Sequence, residues 1–164
     1  MARAKAIRKT RMKFLLLLLL PCPPLFADAG LPQASVFEGY TTPAQILAGL
    51  CFAESSIRGT VTGDDGISRG WFQFNRKYDR SRSERWGSFD PFSLLDSLRI
   101  ADAQFQANYR ALLMRERIVD PSTWEIRRED MAIAAHRQGL QGVLRDGMGY
   151  WYVERVRGCH DLTR

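Results

Sequence analysis

The stretch "LCFAESSIRGTVTGDDGISRGWFQFN", Leu50–Asn75, decides how the chain is read. An apolar run ends on a carboxylate, Glu54. A glycine-punctuated loop follows, and then aromatic residues enclose a single glutamine, Gln73. Upstream, "TTPAQILAGLCFAES" reads as a helix, with Thr42 as its cap and Pro43 in the first turn, where a missing N–H costs nothing. Ile46, Leu47, Leu50 and Cys51 form its apolar stripe. Gly59, Gly63 and Gly66 mark the loop, and "WFQFN" is a short extended or turn-like piece.

Working outward, "RKYDRSRSERWG" mixes both charge signs and reads as a solvated loop. Asp90 and Pro91 are expected to open the longest helix, running to about Arg117, with Leu94, Leu98, Ala101, Phe105, Asn108 and Leu112 on its buried face. Asp120-Pro121-Ser122 breaks it, and Ser122 or Thr123 starts the next. "EDMAIAAHRQG" is a compact helix, with Met131, Ile133, Ala134 and Ala135 inward and Gly139 as its stop. "QGVLRDG" and "YWYVERVRG" are two more short helical pieces. With no long alternating strand and no internal repeat, the class is mainly α.

The amino terminus reads as an address. Basic "MARAKAIRKTRMK", apolar "FLLLLLL" and small residues before Gly30 have the layout of a secretory signal peptide over residues 1–29. Pro21, Pro23 and Pro24 break the apolar run too early for a membrane span, so membrane contact is expected only through this transient leader. A lead-in covers residues 30–41, and one domain covers 42–164. The chain has 24 basic and 18 acidic residues. Removing the leader's six basic residues and Asp28 leaves 18 against 17, a net of +1, so the composition argues against a nucleic-acid partner. Export to the periplasm or cell envelope permits disulfides. Cys51 and Cys159 are either such a pair or two separate buried thiols.

No metal-ligand spacing involves His136 or His160, and no phosphate-cradling loop is present, so no metal or cofactor is expected. The chemistry then falls to carboxylates. Phe52, Trp71 and Phe72 can exclude water around Glu54. Desolvation favours the neutral form of a carboxyl, and a neutral carboxyl can protonate a leaving oxygen, as glycoside cleavage requires. His136 reads as a neutral structural histidine.

Four segments in order carry a resemblance. "ILAGLCFAESS", "SRGWFQFN", "EDMAIAAHRQG" and "YWYVERV" are similar to the motifs of the soluble lytic transglycosylase domain of the lysozyme-like superfamily, with goose-type lysozymes next closest. The family's Glu-Ser pair is matched by Glu54 and Ser55. Its Gly-Leu-Met-Gln is matched by Gly70-Trp71-Phe72-Gln73, one residue further on. "RWGSFDPFSLLDSLRIADAQF" resembles the segment in which Phe-Asp-Pro opens a long helix, and Tyr152 and Val153 match a Tyr-Val pair whose tyrosine lies near the acid. The chain departs from the family at Ala-Tyr-Asn-x-Gly, where Ala135-His136-Arg137-Gln138-Gly139 puts a longer, charged Arg137 in place of a sugar-contacting asparagine.

The resemblance implies a helical lysozyme-like domain with an active-site cleft and little or no β-structure. It implies a monomer acting on peptidoglycan glycan strands, alone or beside cell-envelope machinery. Glu54 would be the catalytic acid, and Ser55, Gln73, Trp71, Phe72, Tyr152 and Arg137 would bind substrate. Asp64 or Asp65 would be the second carboxylate of a hydrolytic lysozyme, the alternative to lytic chemistry. A non-catalytic glycan-binding or scaffold domain of the same fold is the further alternative.

Overall fold

The computed structural model describes residues 34–116 and 124–158. The leader, the break at Asp120-Pro121, the helix start at Ser122 or Thr123, Cys159 and His160 lie outside the described residues. Five α-helices dominate: α1 Ala44–Ser55, α2 Asp79–Trp86, α3 Leu94–Glu116, α4 Trp124–Asp146 and α5 Tyr150–Arg157. Three two-residue strands, β1 Thr62–Gly63, β2 Ser68–Arg69 and β3 Phe74–Asn75, form an antiparallel sheet in sequence order. The class is mainly α. Among the described residues, no helix is long and apolar enough to cross a membrane.

Helix α1 is the buried axis of the molecule. Its burial is not confined to one stripe: residues Ile46 through Cys51 are all buried, along with Ala53 and Ser55. Only a helix that is apolar nearly all round can be enclosed in this way. Phe37, Leu98, Ile100, Phe105, Ile133 and Val153 belong to the same core. Gly49 lets α5 approach closely, because a Cβ there would sit 2.2 Å from the Val156 carbonyl oxygen. Helices α1 and α5 therefore pack with backbone nearly touching backbone, and α3 and α4 form the other main helix pair.

The start of α1 differs from the sequence reading. Pro43 occupies the cap position without a side-chain cap, and Thr42 is buried instead. The Thr42 hydroxyl donates to Asp102 Oδ1 at 2.6 Å and its N–H to the same oxygen at 2.8 Å, tying α1 to α3. A long-range carboxylate has outcompeted the local cap.

Segment 76–87 is a correction to the loop expected there. It is a 3-10 turn, Arg76–Tyr78, followed by helix α2. The Asn75 side chain accepts from the Lys77 N–H at 2.9 Å, and Arg80 pairs with Glu84 one turn on. The charge mixture that suggested a solvated loop also supplies local helix support. Arg82 is buried, its guanidinium 4.9 Å from the Phe74 ring centroid.

Helix α3 starts at Leu94, four residues after Asp90, because Asp90 and Pro91 are used in a turn. Asp90 Oδ1 accepts from the Phe92 N–H at 2.9 Å, and Ser97 donates to the Pro91 carbonyl at 2.8 Å. Helix α4 bends at Gly139, whose φ of 74° falls in the region glycine adopts at little cost, and continues to Asp146. The expected stop is thus a kink. Residues Ala135–Gly142, on both sides of the kink, line a cleft.

Candidate active site

The cleft has a volume of about 860 Å³. Glu54 contributes from the end of α1. Asp64, Ser68 and Phe72–Asn75 contribute from the sheet region, Tyr78, Arg82, Arg85 and Trp86 from α2 and its approach, Gln104 and Asn108 from α3, and Ala135–Gly142 from α4.

Glu54 stands where α1 is brought to a stop. Ser56 adopts φ 52° and its N–H bonds the Phe52 carbonyl at 2.9 Å. Ile57 follows with φ 61°, an unusual conformation for a β-branched side chain, and it is nevertheless buried. Two successive left-handed residues end the helix abruptly, so the carboxylate emerges at the cleft rather than along a continuing helix. Such conformations cost about 1–3 kcal/mol each and persist only where packing over-determines them.

From α5, the Tyr152 hydroxyl donates to Glu54 Oε1 at 2.5 Å. Tyr152 is 2% exposed. Burial, and then the neighbouring Glu54 charge, hold its phenol well above the usual range, so it remains a hydrogen-bond donor across the ordinary pH range. Oε1 is therefore occupied as an acceptor. Oε2 has no hydrogen-bond partner among the described residues, and a proton on Glu54 belongs on that oxygen.

Gln73 is anchored quite differently. Its Nε2 donates to the carbonyls of Val61 and Gly70, both at 2.9 Å, and its backbone φ is 46°. Its Oε1 lies so close to Gly63 that a Cβ there would be 2.5 Å away. Both donors of the amide brace the 61–73 turn, and the carbonyl oxygen is what remains for a ligand.

Phe72 lines the cleft with its ring buried, and its carbonyl accepts from His136 Nε2 at 3.2 Å. That bond places the ring proton on Nε2 and leaves Nδ1 a lone-pair acceptor, which is buried and unpartnered among the described residues. Burial pushes the imidazole below its ordinary value, against the opposing pull of Glu54, and His136 is neutral.

The remaining predicted site residues divide. Asp64 lines the cleft and accepts from the Ser68 hydroxyl at 2.9 Å; Asp65 does not line it. Both have positive φ, as short polar residues tolerate in turns. Trp71 is also outside the lining: its indole N–H donates to the Phe92 carbonyl at 2.9 Å, and its ring lies flush against Gly59. Ser55 is buried, with its hydroxyl donating to the Cys51 carbonyl at 3.0 Å and accepting from the Arg58 N–H at 3.2 Å, which closes the helix end. Burial pushes the Cys51 thiol up to about 12.

Arg137 lines the cleft, its guanidinium 4.9 Å from the Trp151 ring centroid and 5.7 Å from that of Tyr152. No family model matches the chain, and no curated protein or solved structure does either.

The cleft also has a wall that the sequence reading missed. Arg82 donates to the Asn75 carbonyl at 2.9 Å, to Asp79 at 3.3 Å and to Gln104 at 3.2 Å, fastening α2 to β3 and α3. Reading 76–87 as a loop hid Tyr78, Arg82, Arg85 and Trp86. Their spacing of three and four residues was the available signal. Asn108, taken as part of a buried face, lines the cleft instead. Among the described residues, no group of three metal-ligating side chains is present.

Proposed function

We propose that the chain is an exported peptidoglycan-cleaving enzyme of the lytic transglycosylase type, acting in the periplasm or cell envelope on the β-1,4 bond between N-acetylmuramic acid and N-acetylglucosamine. The observation that carries this reading is the Tyr152–Glu54 bond, made to a carboxylate that lines the cleft. It leaves one carboxyl oxygen, Oε2, to deliver a proton.

Glu54 would protonate the glycosidic oxygen from Oε2 as the bond to C1 breaks. The resulting carboxylate, still held by Tyr152, then takes the proton of the muramic C6 hydroxyl. That oxygen attacks C1 and closes a 1,6-anhydro ring, so one carboxyl group serves both steps and no water is consumed. A phenol that stays protonated throughout stabilises the carboxylate formed midway. The Gln73 carbonyl oxygen can accept from an N-acetyl N–H.

Hydrolysis is the second reading, favoured by Asp64 on the same cleft, where a second carboxylate could orient water. A non-catalytic glycan-binding role draws its support from Arg137 in place of an asparagine. Clearing of purified peptidoglycan by the natural chain and by Glu54→Gln separates enzyme from binder. The proposal expects clearing by the first alone; equal clearing by both, or none by either across pH and salt, defeats it.

A further inference from the structure

Two arginines on the cleft are not used by the chemistry above. Arg85 projects from α2 and Arg137 from α4, and both line the cavity. Each guanidinium lies over an indole: Arg85 at 5.6 Å from the Trp86 centroid, Arg137 at 4.9 Å from that of Trp151. Both side chains are exposed. Among the described residues, neither donates a hydrogen bond or makes an ion pair. Arg82 offers the contrast: it lines the same cavity, but its donors are committed to Asn75, Asp79 and Gln104.

A guanidinium stacked on a ring keeps the N–H groups at its edge available. The stack also restricts a flexible side chain before any ligand arrives, so less freedom is lost on binding. The ligand that suits such a fork is a planar anion, above all a carboxylate, which it can hold through two parallel bonds. The acidic lining residues are Glu54 and Asp64, and Asp64 already accepts from Ser68.

We propose that Arg85 and Arg137 are specificity-determining residues that read carboxylates on the glycan strand. The cleft then takes strands whose muramic residues carry carboxylates in preference to neutral chitin-type strands. The inference rests on the peptidoglycan reading of the cleft and deepens it. The carboxylate has two chemical sources, the lactyl group of a peptide-free muramic residue or the stem peptide attached to it.

The test measures binding to the Glu54→Gln chain, which prevents turnover, with three ligands: peptide-bearing strands, peptide-stripped strands and chitooligosaccharides. Carboxylate-bearing strands are expected to bind about tenfold tighter than neutral ones, a preference that added salt erodes. Adding Arg85→Gln and Arg137→Gln should bring that ratio close to one, and the two Lys replacements should restore part of it. A gain confined to peptide-bearing strands assigns the stem peptide; a gain shared by stripped strands assigns the lactyl group. Melting temperatures establish that the variants fold, and the salt titration of the unsubstituted arginines stands if they do not. A ratio unmoved by the Gln replacements, or a preference unmoved by salt, overturns the proposal. No preference for carboxylates, while the natural chain still clears peptidoglycan, overturns it alone. Failure to bind any of the three ligands overturns the enzyme reading with it.

Discussion

Glu54 and Gln73 are both polar residues set among aromatics, and the structure uses them in opposite ways. The Gln73 amide spends both donors on the backbone carbonyls of Val61 and Gly70. The Glu54 carboxylate has one oxygen held by Tyr152, across 98 positions of sequence, and the other open. Glu54 thus keeps an oxygen for proton transfer, while Gln73 spends its donors on bracing the turn and keeps only its carbonyl oxygen as an acceptor. A polar side chain in an apolar setting is a candidate for chemistry only when part of its bonding capacity remains unspent.

Substituting these two residues should break that symmetry most clearly. Glu54→Gln is expected to lower turnover of peptidoglycan roughly a thousandfold, with a melting temperature close to that of the natural chain. Gln73→Leu is expected to cost about 2 kcal/mol of stability, because it removes the two side-chain hydrogen bonds that brace the turn, while the Val61 and Gly70 carbonyls keep their backbone donors. Denaturant unfolding of both variants beside their activities checks the contrast. A Gln73→Leu chain of unchanged stability would remove the bracing role assigned to it.

Gly49→Ala probes how the Glu54 region is built. The added methyl would strike the Val156 backbone, and overpacking of this kind costs about 1–3 kcal/mol. Because Tyr152 lies on the same helix as Val156, activity should fall further than at exposed sites of equal destabilisation. Tyr152→Phe removes the hydroxyl alone and should lower turnover by about tenfold, a loss of one hydrogen bond to a charged group. Steady-state rates at matched folded fraction separate the two effects.

The smallest effect expected is a pH dependence. The folded-state value of His136 is depressed below its ordinary 6.5 by burial. As pH falls below 6.5 the unfolded chain takes up the proton first, so stability should decline on the acid side and continue to fall until the folded state is also protonated. His136→Gln should flatten the part of that decline closest to neutrality, before the carboxylates titrate. Equal slopes for the two chains would show that the imidazole is not held neutral by the fold.

Helices α1, α3 and α5 were legible because their apolar spacing is strong, whereas α2 read as a solvated loop and α4 as a helix ending at Gly139. Local pattern failed where distant partners decided the outcome. Thr42 binds Asp102 rather than capping α1, and Arg82 folds back over Phe74, drawing a charged segment into a helix that walls the cleft. Trp71 and Phe72 are adjacent, yet one packs on Gly59 and the other lines the cavity. Which of two neighbouring aromatics faces a ligand depends on the positive φ values around them, which sequence does not display.

The central claim is that Glu54 both gives and takes the proton in an intramolecular ring closure, and mass spectrometry of muropeptides released from purified peptidoglycan tests it directly. The account predicts muropeptides ending in 1,6-anhydro-muramic acid, lighter by one water than hydrolytic products, and none from Glu54→Gln. Products with only ordinary reducing ends, or anhydro products persisting in Glu54→Gln, would contradict it.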